Sequence, residues 1–189
     1  MILIADGGST KTSWCLINAA GRKIHFNTEG YNPYFAKQDY IENSLRNSLP
    51  NHLDAPQIKE VYYYGAGCST DKNKKTVANA MQKVFENAQI CIEHDLLAAC
   101  RSLLRNQPGF VAILGTGTNT CLYNGEKITL NIDSLGYFLG DEGSGSNIGK
   151  RLLADYMKGF MPSGLSKSFY NIYELTNEDI FDHIYNKPL

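Results

Sequence analysis

The sequence predicts an α/β protein in which a partly parallel sheet is covered by helices. Short apolar runs alternate with segments whose apolar residues recur every three or four positions, an order typical of strands alternating with helices. One arrangement occurs twice, within residues 2–17 and 111–123. In each case an apolar run is followed by a glycine-rich turn and then by a second strand-like run. With 189 residues, the chain is long enough for one domain or two small ones.

The first part of the chain predicts three strands followed by alternating helices and strands. Strands are expected at 1–5, 12–18, 23–28, 61–65 and 90–93. The first helix starts at about Asp39, because Ile41, Leu45 and Leu49 are spaced by four residues. A second helix begins after Ser69-Thr70-Asp71, and a third is expected at 96–104. The apolar face of the second helix consists of Val77, Met81, Val84, Phe85 and Ala88.

The second part of the sequence predicts another set of strands. The hairpin at 111–123 leads to Asn124-Gly125, a strong signal for a second tight turn. A helix then runs from near Gly143 to Gly159, and helices follow at 168–173 and 179–185. The apolar face of the helix ending at Gly159 is expected to carry Ile148, Leu152, Leu153, Tyr156 and Met157. The order βββαβαβα followed by βββα indicates a duplicated unit.

The two glycine-rich turns, at 6–12 and 115–120, have the chemistry of phosphate-binding loops. Glycines let the backbone come close to a ligand, successive N–H groups form a concavity for an anion, and Ser and Thr hydroxyls add donors. Neither turn reads GxxxxGK[ST], so neither is a Walker loop. Either turn alone is more simply an ordinary hairpin, and their repetition favours phosphate binding.

Composition sets few limits on function. Lys and Arg number 18 and Asp and Glu 19, so the net charge of −1 gives no electrostatic case for nucleic acid or an anionic membrane as partner. No apolar run approaches the roughly 18 residues of a membrane span, and the first strand reaches Asp6 too early for a signal peptide. The five cysteines are scattered without a CxxC pair, which indicates reduced thiols in a cytoplasmic protein.

The order of elements and three motifs resemble the superfamily of sugar kinases, heat-shock ATPases and actin. Within it, the chain is similar to the BadF/BadG/BcrA/BcrD ATPase family, which includes N-acetylglucosamine kinases. The resemblance extends from Met1 to about Gly159 and is carried by residues 6–12, 114–119 and 136–144. It implies an actin-like ATPase fold built from ribonuclease-H-like βββαβαβα units.

The same resemblance implies two domains. The first covers residues 1–108, with the first phosphate hairpin and the catalytic aspartate. The second begins at 109 and runs to 189, with the second hairpin. No further strands or nucleotide-type glycine turn follow the second meander, so we expect this unit to be incomplete and helical or sheet surface to be uncovered near the C-terminus. We also expect that residues 1–189 alone are not a competent kinase, because both halves must close over ATP.

Asp95 is the candidate catalytic residue. It lies at the carboxyl end of a predicted strand and at the start of a helix, the edge where ligands bind in open α/β sheets. A carboxylate there can accept the proton of a sugar hydroxyl that attacks the γ-phosphate, although it could also be a helix N-cap. The resemblance places the family's catalytic aspartate at Asp95. His94 is expected to point to the opposite face, as a packed or hydrogen-bonded side chain.

We assign nucleotide binding to the two hairpins. Asp6, first in its turn, could hold Mg²⁺ through water or form an Asx turn. Thr10 and Thr116 are the hydroxyls best placed for phosphate, and Lys11 either adds charge or faces solvent. The predicted nucleotide-binding residues are Asp6, Gly7, Gly8, Ser9, Thr10, Lys11, Gly115, Thr116 and Gly117.

The resemblance also implies a sugar site. Amide and carboxylate groups suit polyols because they pair with adjacent hydroxyls. Asp141 has an alternative role as cap of the helix beginning near Gly143. The segment Ser134-Leu135-Gly136 departs from the Trp-containing version of animal members, which affects the acyl pocket. The predicted sugar-binding residues are Asn32, Asp95, Thr118, Asn119, Ser134, Gly136 and Asp141.

The function implied is ATP- and Mg²⁺-dependent phosphorylation of an amino sugar, with N-acetylglucosamine as the first candidate. The competing hypothesis is an ATPase that activates a partner dehydratase, a branch that holds an iron–sulfur cluster with paired cysteines. A sugar-sensing regulator is the non-enzyme alternative. The expected partner is a small sugar, with no nucleic acid and no membrane, in the cytoplasm. A homodimer is the candidate assembly.

Overall fold

The computed structural model describes residues 1–50 and 53–187. Pro188 and Leu189, at the end of the predicted second domain, lie outside the described residues. The elements follow in the order β1 Ile2–Gly7, β2 Lys11–Ile17, β3 Lys23–Glu29, α1 Gln38–Ser48, a 3-10 turn Ala55–Gln57, β4 Glu60–Gly65, α2 Asp71–Val84, β5 Gln89–His94, α3 Asp95–Leu104, β6 Pro108–Leu114, β7 Thr118–Asn124, β8 Ile128–Ile132, α4 Gly136–Leu139, α5 Gly145–Met157, α6 Ser163–Tyr173 and α7 Asn177–Tyr185. The predicted order of elements is confirmed, with α4 as an addition.

The main sheet has five strands in the order β3-β2-β1-β4-β5. Strand β1 is antiparallel to β2 and parallel to β4, and β4 is parallel to β5. This sheet is therefore partly parallel, as predicted, because the connections from β3 to β4 and from β4 to β5 each pass through a helix. Its parallel strands β1, β4 and β5 end at the same edge.

The core of the main sheet follows from alternation along the strands. Leu3 and Ala5 of β1, and Val61 and Tyr63 of β4, are buried at every second position. Helices α1 and α2 cover this layer with the predicted apolar positions, among them Ile41, Leu45, Val77 and Met81. The start of α2 is fixed by its N-cap, Thr70, whose hydroxyl accepts a hydrogen bond of 3.3 Å from the Asn73 N–H.

Strands β6, β7 and β8 form a second, three-stranded sheet. Val111, Cys121 and Tyr123 are buried in one cluster with Leu96 and Cys100 of α3. The chain divides into two compact units. The first comprises Met1–Ile113 with Thr120–Ile132, and the second comprises Leu114–Asn119 with the residues from Asp133 onward. The domain boundary at 108/109 stays a prediction.

The second unit has its own small core where α5, α6 and α7 meet. Met161, Phe169 and Ile180 are buried there, and the C-terminal half of α5 packs on them. Ile148, predicted for the apolar face of α5, is instead 59% exposed, because this core reaches only the second half of the helix. Exposed apolar side chains, as expected near the C-terminus, include Phe160, Ile172, Tyr173 and Tyr185.

In the part of the chain that the structure describes, none of the helices combines the length and the apolar character needed to cross a membrane.

Candidate active site

The parallel strands of the main sheet bring three chain segments to one edge. In the register of the sheet, Gly7 lies opposite Gly65, and Gly65 lies opposite His94. The first hairpin, the turn after β4 and the start of α3 therefore share this edge. Carboxyl edges of this kind are the usual ligand sites of α/β sheets.

Asp95 is the first residue of α3. Its Oδ1 accepts a hydrogen bond of 2.8 Å from the Leu96 N–H and lies 3.2 Å from Nδ1 of His94. The N-cap is His94, whose Nδ1 lies 3.3 Å from the Leu96 nitrogen, so the interpretation of Asp95 as the cap is wrong by one position. The expected opposite orientation of His94 is also wrong, because its imidazole contacts the Asp95 carboxylate. A hydrogen-bonded role for His94 is confirmed.

Burial raises the pKa of Asp95 above its ordinary value of 3.8. The His94 imidazole and the Leu96 N–H act in the opposite direction and lower the pKa, whereas the Asp6 carboxylate raises it further. The side chain remains 21% exposed, so a ligand can reach it. A carboxylate with a raised pKa is a stronger proton acceptor, the property that a general base requires.

The first hairpin is tight and its tip is open to solvent. The N–H of Gly8 donates to the Lys11 carbonyl over 2.9 Å, and the side chains of Ser9 and Thr10 between them are exposed. Asp6 lies within strand β1, paired with Ser13, rather than first in the turn as predicted, because β1 continues two residues beyond Ala5. A Cβ at Gly7 would collide with Tyr63 Oη.

Asn32 is tied to the first hairpin by its own amide. Its Nδ2 donates to Ser9 Oγ over 2.9 Å, and its Oδ1 accepts the Tyr34 N–H over 3.1 Å. Gly67 has a positive φ of 76°, and a Cβ there would collide with Asn32 Oδ1. The structure therefore brings the predicted sugar-side Asn32 to the same edge as the hairpin and Asp95.

The second hairpin lies in the second unit and is held by the backbone of α5. The N–H of Gly115 donates to the Gly117 carbonyl over 2.9 Å. The N–H groups of Gly145 and Ser146, at the start of α5, donate to the carbonyls of Gly115 and Thr116 over 2.9 and 3.1 Å. The Thr116 side chain is exposed, as a phosphate-binding hydroxyl must be.

Asp141 binds the strand that leaves the second hairpin. Its Oδ1 accepts a hydrogen bond of 2.9 Å from the Thr118 N–H, and a Cβ at Gly117 would lie 2.9 Å from the same oxygen. Asp141 is 7% exposed and has a φ of 60°, uncommon for a residue other than glycine. The alternative that Asp141 caps α5 is wrong, because the N-cap is Ser144, which accepts from the Asn147 N–H.

The segment around Asp141 is a closed loop. The Ser134 carbonyl accepts the Asp141 N–H over 2.8 Å, and a Cβ at Gly140 would collide with that carbonyl. Leu135 and Gly136 both have positive φ, of 56° and 67°. Non-glycine residues in this conformation are often found at functional loops. The loop thereby joins the predicted residues Ser134, Gly136 and Asp141.

The predicted site residues thus fall into two groups, one in each unit. The first unit contains Asp6, Gly7, Gly8, Ser9, Thr10, Lys11, Asn32 and Asp95. The second contains Gly115, Thr116, Gly117, Thr118, Asn119, Ser134, Gly136 and Asp141. Asn119 Oδ1 is buried without a hydrogen-bond partner among the described residues. Lys11 is exposed at the start of β2.

Sequence reasoning missed the packing residues that shape the edge. The ring of Tyr63 lies beneath the backbone of both Gly7 and Gly65, where no side chain other than hydrogen fits. Gly30 is restricted in the same way by the backbone of Gly8 and Ser9. The sequence shows the glycines at the strand ends. It does not show which neighbouring group excludes a side chain at each of them.

A magnesium ion suits Asp6 when bound through water. Within residues 1–50 and 53–187, no three His, Cys, Asp or Glu side chains are grouped so that they could hold a metal ion directly. The Asp6 side chain is exposed at the sheet edge and is close enough to Asp95 to raise its pKa. Mg²⁺ keeps several waters and often uses one or two carboxylates together with substrate phosphates.

The chain belongs to the BadF/BadG/BcrA/BcrD ATPase family. The model of that family matches residues 5–158. A solved structure from Porphyromonas gingivalis, described as a candidate N-acetylglucosamine kinase, is 39% identical with a TM-score of 0.92, over 100% of this chain and 68% of that one. Membership of this family indicates an ATP-using enzyme. No protein with a curated description matches the chain.

More distant structures show the fold alone. A candidate N-acetylglucosamine kinase from Chromobacterium violaceum is 18% identical with a TM-score of 0.65, over 99% of this chain and 68% of that one. The ethanolamine utilization protein EutJ from Carboxydothermus hydrogenoformans is 13% identical with a TM-score of 0.51, over 95% and 64%. The predicted α/β, actin-like ATPase fold is confirmed.

Proposed function

We propose that the protein is an ATP- and Mg²⁺-dependent kinase that phosphorylates an amino sugar, with N-acetylglucosamine as the first candidate. The observation that carries the proposal is Asp95, a partly buried carboxylate at the carboxyl edge of the main sheet, beside a phosphate-type hairpin. Its support is the 39% identity to the Porphyromonas gingivalis protein described as a candidate kinase of that sugar.

Asp95 acts as general base in this proposal. Its carboxylate accepts the proton of the sugar hydroxyl as that oxygen attacks the γ-phosphate. The Leu96 N–H donates to Oδ1 and the His94 imidazole lies against the same oxygen, so the rotation of the carboxylate is limited. Oδ2 is left to face the substrate hydroxyl.

The hairpins bind phosphate in this proposal. The exposed tip of the first hairpin offers the hydroxyls of Ser9 and Thr10, with Lys11 next in the chain. Asp6 would hold a Mg²⁺ ion through water, and the chemistry supplied there would be neutralisation of charge on the phosphates. In the second hairpin, Thr116 offers an exposed hydroxyl.

Several polar groups with spare hydrogen-bonding capacity support recognition of a polyol. Asp141 binds the Thr118 N–H through Oδ1 alone, which leaves Oδ2 to accept from a sugar hydroxyl. Asn119 Oδ1 is buried and lacks a partner within the described residues, so it needs a donor such as a hydroxyl.

The decisive experiment replaces Asp95 by Asn in the complete protein. We expect kcat for N-acetylglucosamine-dependent ADP release to fall by about a hundredfold or more, since general-base steps contribute about 10²–10⁴, while ATP affinity stays nearly unchanged. Asp71→Asn is the matched control, because Asp71 is also the first residue of its helix but is exposed. A variant at Asp95 that keeps more than about a third of wild-type turnover contradicts the assigned role.

The same assay distinguishes the kinase from the competing ATPase function. An ATPase that activates a dehydratase through a shared iron–sulfur cluster needs accessible cysteines. Cys68, Cys100 and Cys121 are buried, and Cys15 and Cys91 are only partly exposed. ATP turnover that is indifferent to every sugar would favour that alternative. A homodimer, a cytoplasmic location and the lack of nucleic-acid or membrane partners stay predictions.

A further inference from the structure

A cavity of about 260 Å³ lies in the first unit, where the turn after β4, the end of β5 and strand β8 come together. None of the described residues that line it belongs to the predicted nucleotide-binding or sugar-binding sets. Its volume is below the range of about 300–1,000 Å³ that is usual for sites of drug-sized ligands, so it suits a molecule smaller than ATP.

The charges that line this cavity do not cancel. Lys74 Nζ lies 2.5 Å from Glu93 Oε2, so these two side chains neutralise each other. Lys127 also lines the cavity, and within residues 1–50 and 53–187 no carboxylate lies at ion-pair distance from it. Burial raises the pKa of the Cys68 thiol to about 12, so this group adds no negative charge at neutral pH. One positive charge is left in excess without counting His94, and it favours an anion.

Another part of the lining is apolar. Leu97 of α3 and Ile128 of β8 face the cavity, are half-buried and pack against the buried cluster around α3. The hydroxyl of Ser69 adds a hydrogen-bond donor to the same cavity. Apolar side chains beside an uncompensated cation suit an occupant that has a short apolar part next to its negative charge.

His94 links this cavity to the candidate base. Its side chain lines the cavity, and its Nδ1 lies 3.2 Å from Asp95 Oδ1. The same ring nitrogen lies 3.3 Å from the Leu96 nitrogen, so the ring is held at the start of α3. An occupant that touches His94 therefore contacts the side chain that helps to orient Asp95.

We propose that this cavity binds a small organic acid, with its carboxylate against Lys127 and its apolar part against Leu97 and Ile128, and that the bound acid lowers turnover. The acid acts on the base because its carboxylate competes with that of Asp95 for the His94 imidazole. The cavity is thus an inhibitory site, separate from the binding of ATP and sugar. Binding of the acid does not depend on the proposed function, whereas its effect on turnover rests on that function.

The binding test uses benzoate as the probe and benzamide, its neutral isostere, as the matched control ligand. Isothermal titration of the complete protein, saturated with a non-hydrolysable ATP analogue so that the phosphate sites are occupied, measures Kd for each. We expect a Kd of about 1 mM or tighter for benzoate, which is within reach of so small a ligand. Benzamide should bind at least about tenfold more weakly, because it lacks the charge that Lys127 attracts.

Variants of two lysines locate the effect. Lys127→Gln should weaken benzoate binding to the level of benzamide. Lys75→Gln is the matched control, because Lys75 is an exposed lysine of α2 that does not line the cavity, and it should keep the wild-type difference. Unchanged thermal melting of both variants establishes that they are folded.

The turnover test measures sugar-dependent ADP release with and without benzoate. Benzoate should lower kcat by about fivefold or more, the size of a modest coupling between sites, and leave KM for ATP unchanged. Lys127→Gln should have the wild-type kcat without benzoate and should lose the inhibition.

The outcomes separate the two claims. Equal binding of benzoate and benzamide by the wild type, or an unchanged difference in Lys127→Gln, overturns the inference and leaves the kinase proposal standing. Benzoate that binds as expected but raises only KM for ATP, or leaves kcat unchanged, overturns the inhibitory role. A wild type that binds benzoate through Lys127 but phosphorylates no sugar supports the anion site and contradicts the kinase proposal.

Discussion

The two glycine-rich hairpins have similar sequences but are held in different ways. Side chains and loop backbone of its own unit hold the first hairpin, where Asn32 binds Ser9 Oγ and the loop at Gly30 lies against Gly8 and Ser9. The second is held by backbone hydrogen bonds from the first turn of α5 and by the carboxylate of Asp141 on Thr118.

The difference changes the reason why each glycine is needed. At Gly117, a Cβ would lie 2.9 Å from the carboxylate of Asp141, so the protein's own packing excludes a side chain. At Gly8, a Cβ would meet only the Lys11 carbonyl, at 3.2 Å. Gly8 is half-buried and less restricted than Gly117, and a glycine that the fold restricts less is better evidence for a ligand than one that the fold requires.

The largest predicted effect on ATP binding follows from replacing each of these glycines by Val. Gly117→Val should destabilise the protein by about 1–3 kcal/mol through overpacking against Asp141, and should lose ATP binding with it. Gly8→Val should lower the melting temperature less than Gly117→Val, because its Cβ meets only the Lys11 carbonyl, while weakening ATP binding by about tenfold. Thermal melts and titration with a fluorescent ATP analogue measure both quantities.

Two results would contradict the difference proposed between the two hairpins. Unchanged ATP affinity in a folded Gly8→Val protein would show that the first hairpin is an ordinary turn. Equal loss of stability in both variants would show that the two hairpins are held alike.

A second effect is expected at Asp141, which binds the Thr118 N–H and is a proposed sugar ligand. Asp141→Ala leaves the Thr118 N–H without its acceptor and keeps a left-handed conformation that Ala disfavours, so we expect destabilisation of about 2–3 kcal/mol. Asp141→Asn retains an acceptor and tolerates the positive φ, and should cost less than about 1 kcal/mol.

The Asn variant then isolates the ligand role. Urea unfolding gives the stability, and calorimetric titration gives the sugar affinity. A stable Asp141→Asn protein with weaker sugar binding supports a direct contact between the carboxylate and the sugar. Unchanged sugar affinity would reduce Asp141 to a structural residue.

Most of the fold could be predicted from the sequence because its signals are local. Alternating burial in β1 and β4, the spacing of Ile41 and Leu45, and the Thr70 cap each depend on a few neighbouring residues. The position of Asp95 at a strand end was predictable for the same reason. The prediction that Ile148 is buried was wrong, because amphipathic spacing identifies the apolar face of a helix but not how much of that face is covered by neighbouring elements.

The contacts within the site could not be predicted in this way. The hydrogen bond from Thr118 to Asp141 joins residues 23 positions apart, and the one from Asn32 to Ser9 joins residues 23 positions apart as well. Such pairs depend on tertiary packing that no local pattern encodes. The contact of His94 with Asp95 was missed because strand alternation was extended into a residue that already caps a helix.

The smallest predicted effect is the pH dependence of stability at Asp95. Burial raises the pKa of Asp95, so its ionised form is disfavoured in the folded protein. Below the ordinary pKa of 3.8, Asp95 is neutral in both the folded and unfolded states and its titration costs nothing. As pH rises through that value and then through the raised folded pKa, the wild type loses stability relative to Asp95→Asn, and above the folded pKa the difference is constant.

Urea midpoints between pH 4 and 8 should therefore show Asp95→Asn becoming the more stable protein as pH rises. An Asp95→Asn protein that is less stable than the wild type at pH 7 would mean that the contact with His94 outweighs burial. Asp95 would then be held mainly as a structural partner of His94, which would weaken its proposed role as general base.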